Sequence, residues 1–424
     1  MVTTFAPPAG TVVGMSTISI DAFSADARAW LDANAKRRND SGDTETEWGV
    51  GKLDVSVFHN LSADHERRLL AEIQRWNQLK AERGYHAITW PTEVGGLGLS
   101  KEHGRAFGKL EAEYEVPSAH ETISVTTGLM APTVNLFGTA EQKEKHLAAF
   151  LRTEVLCCQL FSEPGAGSDL ASLSCRADRD GDDWVINGQK VWSSGALFAQ
   201  WGELIARSDT GAAKHAGMTA FMIPMDLPGM EIRPIKQMSG GSSFNEVFFT
   251  DVRVPDSMRL GDVGAGWKVA LATLGFERDH SSGGSSSSKV GGSYRQLLAT
   301  AQALGRDQDP AVRRALIDVY VHTRVEGLVN RRAADLRRAG NAPGPEGSLG
   351  KILWTEGMTK MSAAITAVLG PLLTADAGVW GTYVWGEHVL GAPGYRIAGG
   401  SDEVQRNIIG ERVLGLPREP QAVR

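Results

Sequence analysis

The sequence predicts an α+β protein in which two helical regions enclose a central region of strands. Apolar residues recur at helical spacing before about residue 155. Short alternating segments, separated by glycine, proline and aspartate, then continue to about residue 262. Long helical patterns return after that point. A chain of 424 residues can bury the cores of two or three domains.

The first region is expected to be helical after an N-terminal extension, residues 1–20, that we expect to be poorly ordered. Ser62 precedes apolar residues at helical spacing, and Gly84 follows them, as an N-cap and a helix stop would. A second helix is expected from Glu141 to Leu151. The extension lacks a basic start and a long apolar stretch, so we expect no secretory signal.

Strands are expected next at Trp184–Ile186, Leu204–Ala206, Thr219–Ile223 and Glu246–Phe249, in a small sheet or barrel. In the last region, Asp309-Pro310 predicts the start of a helix that ends near Gly340. A loop, Asn341–Gly347, precedes a further helix from Leu349 to Leu369, which Gly370-Pro371 stops.

Composition narrows the classes of function. The formal net charge is −6, from 50 acidic and 44 basic residues, which argues against a nucleic-acid partner. No apolar run approaches the length of a membrane span. The cysteines, Cys157, Cys158 and Cys175, lack metal-ligand spacing and cannot all pair, so we expect no metal site and a reducing, cytoplasmic setting.

Two segments carry the clearest functional signal. Phe161–Asp169 is a glycine-rich turn with hydroxyls and carboxylates, and its glycines allow backbone N–H groups to approach a flat or anionic ligand. In Ile186–Gly195, Asn187-Gly188 between apolar runs predicts a tight hairpin turn. The far strand of that hairpin would offer Trp192 and two serines to a planar heterocycle.

This pair of motifs resembles the acyl-CoA dehydrogenase family of flavoproteins. Further matches, in family order, are Trp90–Gly96, Phe248–Pro255, Gly264–Trp267, Glu277-Arg278 and Ile397–Arg406. The resemblance implies an N-terminal α-helical domain (21–155), a middle β-barrel domain (156–262) and a C-terminal α-helical bundle (263–424). It also implies FAD as cofactor, an acyl-CoA substrate, an electron-transfer flavoprotein as electron acceptor, and a homo- or hetero-oligomer, either dimer or tetramer.

Motif position assigns the cofactor contacts. The matching residues are Ser162, Gly167, Ser168, Trp192 and Ser194, with Ser401 and Glu403 from the C-terminal motif. By this resemblance the hydroxyls of Ser162 and Ser194 would bind the flavin edge, Trp192 would pack against the ring system, and Ser168 would lie where cofactor and substrate meet. The alternative is that the hydroxyls cap ordinary turns and that Trp192 belongs to the core.

The family's chemistry needs a carboxylate to take the α proton, while FAD takes the β hydrogen as hydride. Many members carry the carboxylate where this chain has Gly399, and a glycine cannot take a proton. Members that resemble isovaleryl- and long-chain-type enzymes carry it before an arginine, where this chain has Glu277-Arg278. Glu277 is therefore the candidate base, Arg278 a candidate substrate contact, and the Gly399 N–H a candidate donor to the thioester oxygen. The alternative is that Glu277 is an ordinary solvated glutamate.

The chain departs from the family pattern in two places. Ser281–Gly292 is rich in serine and glycine, which suits either a flexible loop or small side chains around a bulky acyl group. The usual Arg-x-x-Phe-Gly and Gly-Gly-x-Gly stretches, which hold the adenine half of FAD in homotetrameric members, are missing. Arg306 and Arg406 remain candidate phosphate contacts. Three functions are alternatives to an acyl-CoA dehydrogenase that acts alone. The chain could be a non-catalytic or co-catalytic subunit of a heteromeric dehydrogenase, an acyl-CoA oxidase or a flavin monooxygenase.

Overall fold

The structure is a computed structural model that describes residues 18–38, 55–58, 60–117, 119–282, 290–339, 344, 346–375, 378–379 and 381–418. Most of the expected N-terminal extension lies outside these ranges. So do residues 283–289 of the serine- and glycine-rich stretch and most of the expected loop at 341–347.

The N-terminal region is helical, as the sequence predicts. Its helices are α1 (Ile20–Asn34), α2 (Ala63–Ala81), α3 (Lys101–Glu111), α4 (Glu121–Ser124), α5 (Ala131–Phe137) and α6 (Ala140–Leu151), and a π-helical turn, Val125–Met130, joins α4 to α5. The Ser62 side chain caps α2 by accepting from the backbone N–H of His65. Thr139 and Gln142 form a capping box at the start of α6.

The central region is a mostly antiparallel eight-stranded sheet. Its strands are β1 (Cys157–Leu160), β2 (Arg176–Asp180), β3 (Asp183–Ser194), β4 (Trp201–Arg207), β5 (Met218–Pro224), β6 (Met230–Ile235), β7 (Phe244–Pro255) and β8 (Arg259–Leu260). They lie in the order β6-β7-β3-β2-β4-β5-β8, and β1 pairs with β4. All four strands expected from the sequence are present. Apolar side chains from β1 through β7 share one interior, as in a barrel.

The expected hairpin at Asn187-Gly188 is wrong. The chain reverses at Gly181, between β2 and β3, and β3 continues through Asn187 and Gly188 with a shift in its register against β7. A Cβ on Gly188 would lie 2.7 Å from Cys175 Cα, so glycine is required for close packing at this point. Asn187 exchanges hydrogen bonds with Asp251 of β7, at 3.0 and 2.9 Å. The Asn-Gly pair therefore marks a bulge inside a strand.

The C-terminal region is again helical. Its helices are α7 (Gly266–Ser282), α8 (Tyr294–Ala303), α9 (Pro310–Arg338), α10 (Glu346–Leu369), α11 (Trp385–Tyr395) and α12 (Asp402–Ile408), followed by a π-helical turn, Ile409–Val413. Asp309 caps α9 by accepting from the Ala311 N–H at 2.9 Å. Gly370, with φ 52°, ends α10 where the sequence predicts. Within the described residues, none of these or the earlier helices combines the length and hydropathy that a bilayer crossing needs.

Candidate active site

The glycine-rich loop, Phe161–Asp169, lies along β3 just before Trp192. The Val191 N–H donates to the Ser162 carbonyl at 2.9 Å, which fixes the start of the loop against the strand. No heavy atom lies within 4 Å of a Cβ built on Gly165 or Gly167, so the space in front of both glycines is open. A ligand can therefore approach this backbone closely.

A buried ion pair that the motif analysis did not single out locks the loop to β3. Lys190 Nζ lies 2.8 Å from Glu163 Oε1 and donates to the Phe161 carbonyl at 2.9 Å. The Glu163 carboxylate also accepts from the backbone N–H groups of Ser174 and Cys175, at 2.6 and 2.9 Å. Burial acts to raise the pKa of Glu163, but the charge of Lys190 and these hydrogen bonds outweigh it and hold that pKa below its ordinary value.

Trp192 lies in a bulge of β3, where the register against β7 shifts between Lys190 and Ser193. Its φ of 62° is left-handed, which a bulky residue rarely adopts and which costs about 1–3 kcal/mol. The side chain is 58% exposed and meets the Phe244 ring edge-on at 5.9 Å. The alternative that Trp192 is a core residue is therefore wrong. A strained and exposed indole beside an open glycine loop suits a planar ligand such as the flavin ring.

Two further serines that the motifs assign to the flavin lie at the end of β3 and on the glycine-rich loop. Ser194 Oγ donates to Glu121 Oε1 of α4 at 3.1 Å, so this hydroxyl bridges the sheet and the N-terminal helices. Ser168 and Gly167 are exposed at the tip of the loop. Asp169, at the end of the loop, pairs with Lys214 at 2.6 Å. The residues present therefore fit a flavin, because hydroxyls, an open backbone and an exposed aromatic ring are grouped on one surface.

The structure brings Glu277 and Gly399 together, although they are far apart in the sequence. Glu277 lies on α7, and Gly399 lies in the turn between α11 and α12 with φ 63°. Glu277 Oε1 is 3.6 Å from the position of a Cβ built on Gly399. Gln405 Nε2 donates to the carbonyls of Gly399 and Gly400, at 3.1 and 3.4 Å, and holds the turn in place. A carboxylate from α7 thus occupies the region that a side chain at position 399 would enter.

Asp402 anchors this turn and was not recognised from the sequence. Its buried carboxylate lies 3.1 Å from Lys351 Nζ and 2.9 Å from the Thr355 hydroxyl, both on α10. It also lies 2.8 Å from Arg396 Nε at the end of α11. Burial acts to raise the pKa of Asp402, but Arg396, Thr355 and Lys351 together hold it below its ordinary value. The charge is therefore fully compensated.

The resemblance also assigns two C-terminal residues to the cofactor and Arg278 to the substrate, and the structure places them as follows. Ser401 caps α12 by accepting from the Val404 N–H at 3.4 Å, which is the local role that the alternative interpretation gives to such hydroxyls. Glu403 is exposed on the first turn of the same helix. Arg278 follows Glu277 on α7, and its side chain lies outside the described atoms.

The two candidate phosphate-binding arginines have local partners. Arg306 Nη2 lies 3.0 Å from Asp309 Oδ2 at the start of α9. Arg406 Nη2 lies 3.4 Å from Glu356 Oε1 of α10. Both pairs are partly exposed, so they contribute little to stability and leave the arginines accessible.

A line of aromatic rings connects the two halves of the site. Phe244, which meets Trp192, also contacts Phe58 edge-on at 5.4 Å. Phe58 in turn stacks on Tyr395 at 5.0 Å, and Tyr395 is the last residue of α11, just before the turn that holds Gly399. These rings therefore connect the loop-and-strand half of the site to the helical half, and we call the region between the two halves the cleft.

A buried carboxyl packs against α7, the helix that carries Glu277. Glu203 of β4 is fully buried and hydrogen-bonded to the Thr273 hydroxyl, at 2.9 and 3.1 Å. Thr273 precedes Glu277 by one helical turn and also contacts the Thr133 hydroxyl at 2.9 Å. Burial raises the pKa of Glu203 to about 8, so this carboxyl is neutral at pH 7. It joins the sheet to α7 without adding charge.

Comparison with known proteins identifies relatives for the whole of this architecture. Family models match three consecutive segments, described as the acyl-CoA dehydrogenase N-terminal domain (residues 58–154), middle domain (158–252) and C-terminal domain (264–414). Together these matches span most of the chain and follow the observed order of helices, strands and helices.

Individual relatives give the same result. The chain is 36% identical over 402 residues to the acyl-CoA dehydrogenase IpdE1 of Mycobacterium tuberculosis, covering 94% of this chain and 98% of the relative. It is 36% identical over 414 residues to IpdE1 of Mycolicibacterium smegmatis, covering 95% and 99%. Among solved structures, the ChsE4-ChsE5 complex from Mycobacterium tuberculosis superposes with a TM-score of 0.68 at 26% identity, covering 95% of this chain and 99% of the other.

Proposed function

Because this chain belongs to the acyl-CoA dehydrogenase family and is an FAD-dependent oxidoreductase, we propose that it removes hydrogen across the α and β carbons of an acyl-CoA thioester with Glu277 as the base. One observation carries the assignment of the base. Glu277 Oε1 lies 3.6 Å from the place where a side chain at Gly399 would begin. Glu277 on α7 can thus supply the carboxylate that residue 399, a glycine, does not provide.

The residues around the cleft have separate roles in the proposed dehydrogenation. The α proton is weakly acidic, so the thioester oxygen needs fixed donors while Glu277 takes that proton. The backbone N–H of Gly399 supplies one such donor without a side chain. Arg278, next to the base, is our candidate contact to the substrate. FAD supplies the acceptor for the β hydrogen, which leaves as hydride.

We assign the cofactor to the surface formed by the glycine-rich loop and the bulge of β3. The ring of Trp192 would cover the flavin, the hydroxyls of Ser162 and Ser194 would bind its edge, and the loop backbone at Gly167 would approach it closely. Ser168, exposed at the loop tip, would face both cofactor and substrate. Ser401 and Glu403, at the start of α12, would complete the contacts from the C-terminal side.

The test of the base is Glu277→Gln, which keeps the size of the side chain but cannot accept the α proton. We expect anaerobic flavin reduction by acyl-CoA to slow by about 10²- to 10⁴-fold, equivalent to about 3–5 kcal/mol of barrier. Flavin content should stay at the wild-type level. Glu144→Gln, an exposed change on α6, is the matched control and should reduce flavin at the wild-type rate.

Moving the base provides the complementary test. In Glu277→Gln/Gly399→Glu, the Cβ of the new glutamate would lie 3.6 Å from the position of the Glu277 Oε1 atom. We expect a measurable part of the rate to return, although glutamate at φ 63° is strained. Near-normal turnover in Glu277→Gln alone would falsify the assignment of the base.

A second candidate function is a subunit of a heteromeric dehydrogenase. It is favoured because the chain lacks the Arg-x-x-Phe-Gly and Gly-Gly-x-Gly stretches that hold the adenine half of FAD in homotetrameric members. The similar ChsE4-ChsE5 structure is itself a complex of two different chains. If this candidate is correct, the purified chain will lose flavin alone and retain it when a second chain is supplied. Retention of flavin by the isolated chain, with electron transfer to an electron-transfer flavoprotein and slow reaction with oxygen, would favour a self-sufficient dehydrogenase over both this candidate and an oxidase.

A further inference from the structure

A second carboxyl group, that of Glu121, lies where α4 meets the end of β3. It is the first residue of α4, accepts from Ser194 Oγ at 3.1 Å, and has an exposed side chain. Desolvation by the surrounding protein nevertheless raises its pKa. Burial, followed by the charge of Glu121, raises the pKa of Tyr395 as well. Glu121 therefore lies near both Ser194, at the end of β3, and Tyr395, at the end of α11.

The position of Glu121 is fixed by buried neighbours. His120, the residue before it, accepts from the Thr122 N–H through Nδ1 at 3.2 Å and contacts Glu66 Oε1 through Nε2 at 2.9 Å. The side chains of His120 and Glu66 are only 3% and 5% exposed. A Cβ on Gly195 would overlap the Thr122 hydroxyl, so α4 and β3 are packed without spare room. The carboxyl is therefore presented to the cleft on a rigid turn.

Aromatic rings lie near this carboxyl. Phe244 pairs with Ser194 between β7 and β3, and its ring contacts Phe58, which stacks on Tyr395. Within the described part of the chain, the one hydrogen bond to the Glu121 carboxyl comes from Ser194 and uses Oε1. The second oxygen can accept a donor from a bound molecule. A bound substrate that displaces water from this carboxyl must supply a donor in its place, or the second oxygen loses its hydrogen bond.

We infer that Glu121 determines specificity by binding a hydroxyl group on the acyl chain of the substrate. This inference rests on the proposed acyl-CoA dehydrogenation. A hydroxyl can donate to a carboxylate and equally to the carbonyl oxygen of the neutral acid, so it is recognised in either protonation state. An aliphatic chain would cover the carboxyl without a hydrogen bond, and an acyl chain that ends in a carboxylate would place two acidic groups together.

The experiment compares acyl-CoA esters of equal length that differ only in one substituent. One series is unsubstituted, one carries a hydroxyl at successive positions beyond the β carbon, and one ends in a carboxylate. Wild type, Glu121→Leu and Glu121→Gln are compared by calorimetric binding and by the rate of flavin reduction. Glu141→Leu, which also changes a glutamate in the first turn of a helix, is the matched control.

We expect wild type to prefer one hydroxylated ester over its unsubstituted partner by about 10- to 100-fold in affinity. Glu121→Leu should abolish that preference, whereas Glu121→Gln and Glu141→Leu should retain it. Equal affinity of wild type for both series, or an undiminished preference in Glu121→Leu, would overturn the inference. A hydroxyl preference in binding without flavin reduction by any ester would support the inference and count against the proposed dehydrogenation.

Discussion

Two positions on opposite sides of the cleft share one backbone conformation and carry opposite kinds of residue. Trp192 has φ 62° and Gly399 has φ 63°. Glycine adopts this conformation freely, whereas tryptophan is strained in it. In our proposal the Trp192 side chain itself contacts the flavin, which gives a reason for the strain, and a buried ion pair holds the strand. In the same proposal Gly399 acts through its main-chain N–H, and glycine leaves room for the Glu277 carboxylate.

The largest predicted effect tests whether the buried Lys190–Glu163 pair holds the glycine-rich loop against β3. Lys190→Met removes the partner of the buried Glu163 carboxylate, and we expect the free energy of unfolding to fall by about 3–5 kcal/mol. Because Lys190 also holds the Phe161 carbonyl, flavin content should fall with it. Chemical denaturation and the visible absorbance of the purified protein measure the two effects.

Two further variants isolate the buried charge. Lys190→Met/Glu163→Gln removes both charges and should recover part of the lost stability. Arg233→Met breaks a pair with Glu231 that has a similar distance, 2.7 Å, but is more than half exposed, and should cost less than about 1 kcal/mol. Equal losses in Lys190→Met and Arg233→Met would mean that burial of the pair is unimportant.

The sequence predicts the contiguous parts of the molecule well. The helices after Ser62 and Asp309 begin at local capping signals, and the observed helices start where those signals lie. The Asn187-Gly188 pair misleads because the same dipeptide serves a two-residue turn and a bulge. Which of them forms depends on Cys175, just before the neighbouring strand β2, and a local pattern does not contain that contact.

The site divides in the same way. The loop and bulge residues are predicted because they lie within two short motifs, and Glu277 is predicted because the resemblance offers an alternative to position 399. Lys190 and Glu163 lie inside those motifs. Two opposite charges within otherwise buried segments could have predicted their ion pair. Glu203 and Asp402 gave no such signal, because their partners lie on helices that only the fold brings near.

The second prediction concerns Glu203, which connects the sheet to α7, the helix that carries Glu277. Its pKa is about 8 in the folded protein against an ordinary 4.5, so the folded protein retains a proton that the unfolded chain releases between these values. The stability from this carboxyl is complete below pH 4.5 and is lost as the pH rises through 8. Glu203→Gln removes that loss, and we expect a gain of about 1–3 kcal/mol at pH 8.

The pH dependence is the decisive measurement for Glu203. The free energy of unfolding of Glu203→Gln and of wild type is measured by chemical denaturation at each pH. The difference between them should be smallest near pH 5 and should grow up to pH 8. Glu144→Gln, on the surface, should leave the pH profile of stability unchanged. A difference that is constant with pH would show that the glutamine acts through packing and that the buried carboxyl does not titrate in this range.

The smallest predicted effect returns to the shared conformation of Trp192 and Gly399. In an ordinary strand, glycine is less stable than alanine because it loses more backbone freedom. At position 192 the left-handed φ reverses this order, so Trp192→Gly should be more stable than Trp192→Ala by about 1 kcal/mol in the flavin-free protein. Both variants lose the ring, so both should bind flavin more weakly, and the stability difference isolates the backbone.

The same pair of substitutions at Gln189, earlier in β3, provides the control, since Gln189 has no left-handed backbone. There alanine should be the more stable replacement. If alanine is also better at 192, the bulge relaxes once the ring is gone, and Trp192 sets the conformation of its own backbone. If glycine is better, the strand and the Lys190–Glu163 pair impose the conformation, and the tryptophan is held in a strained state that a bound flavin can use.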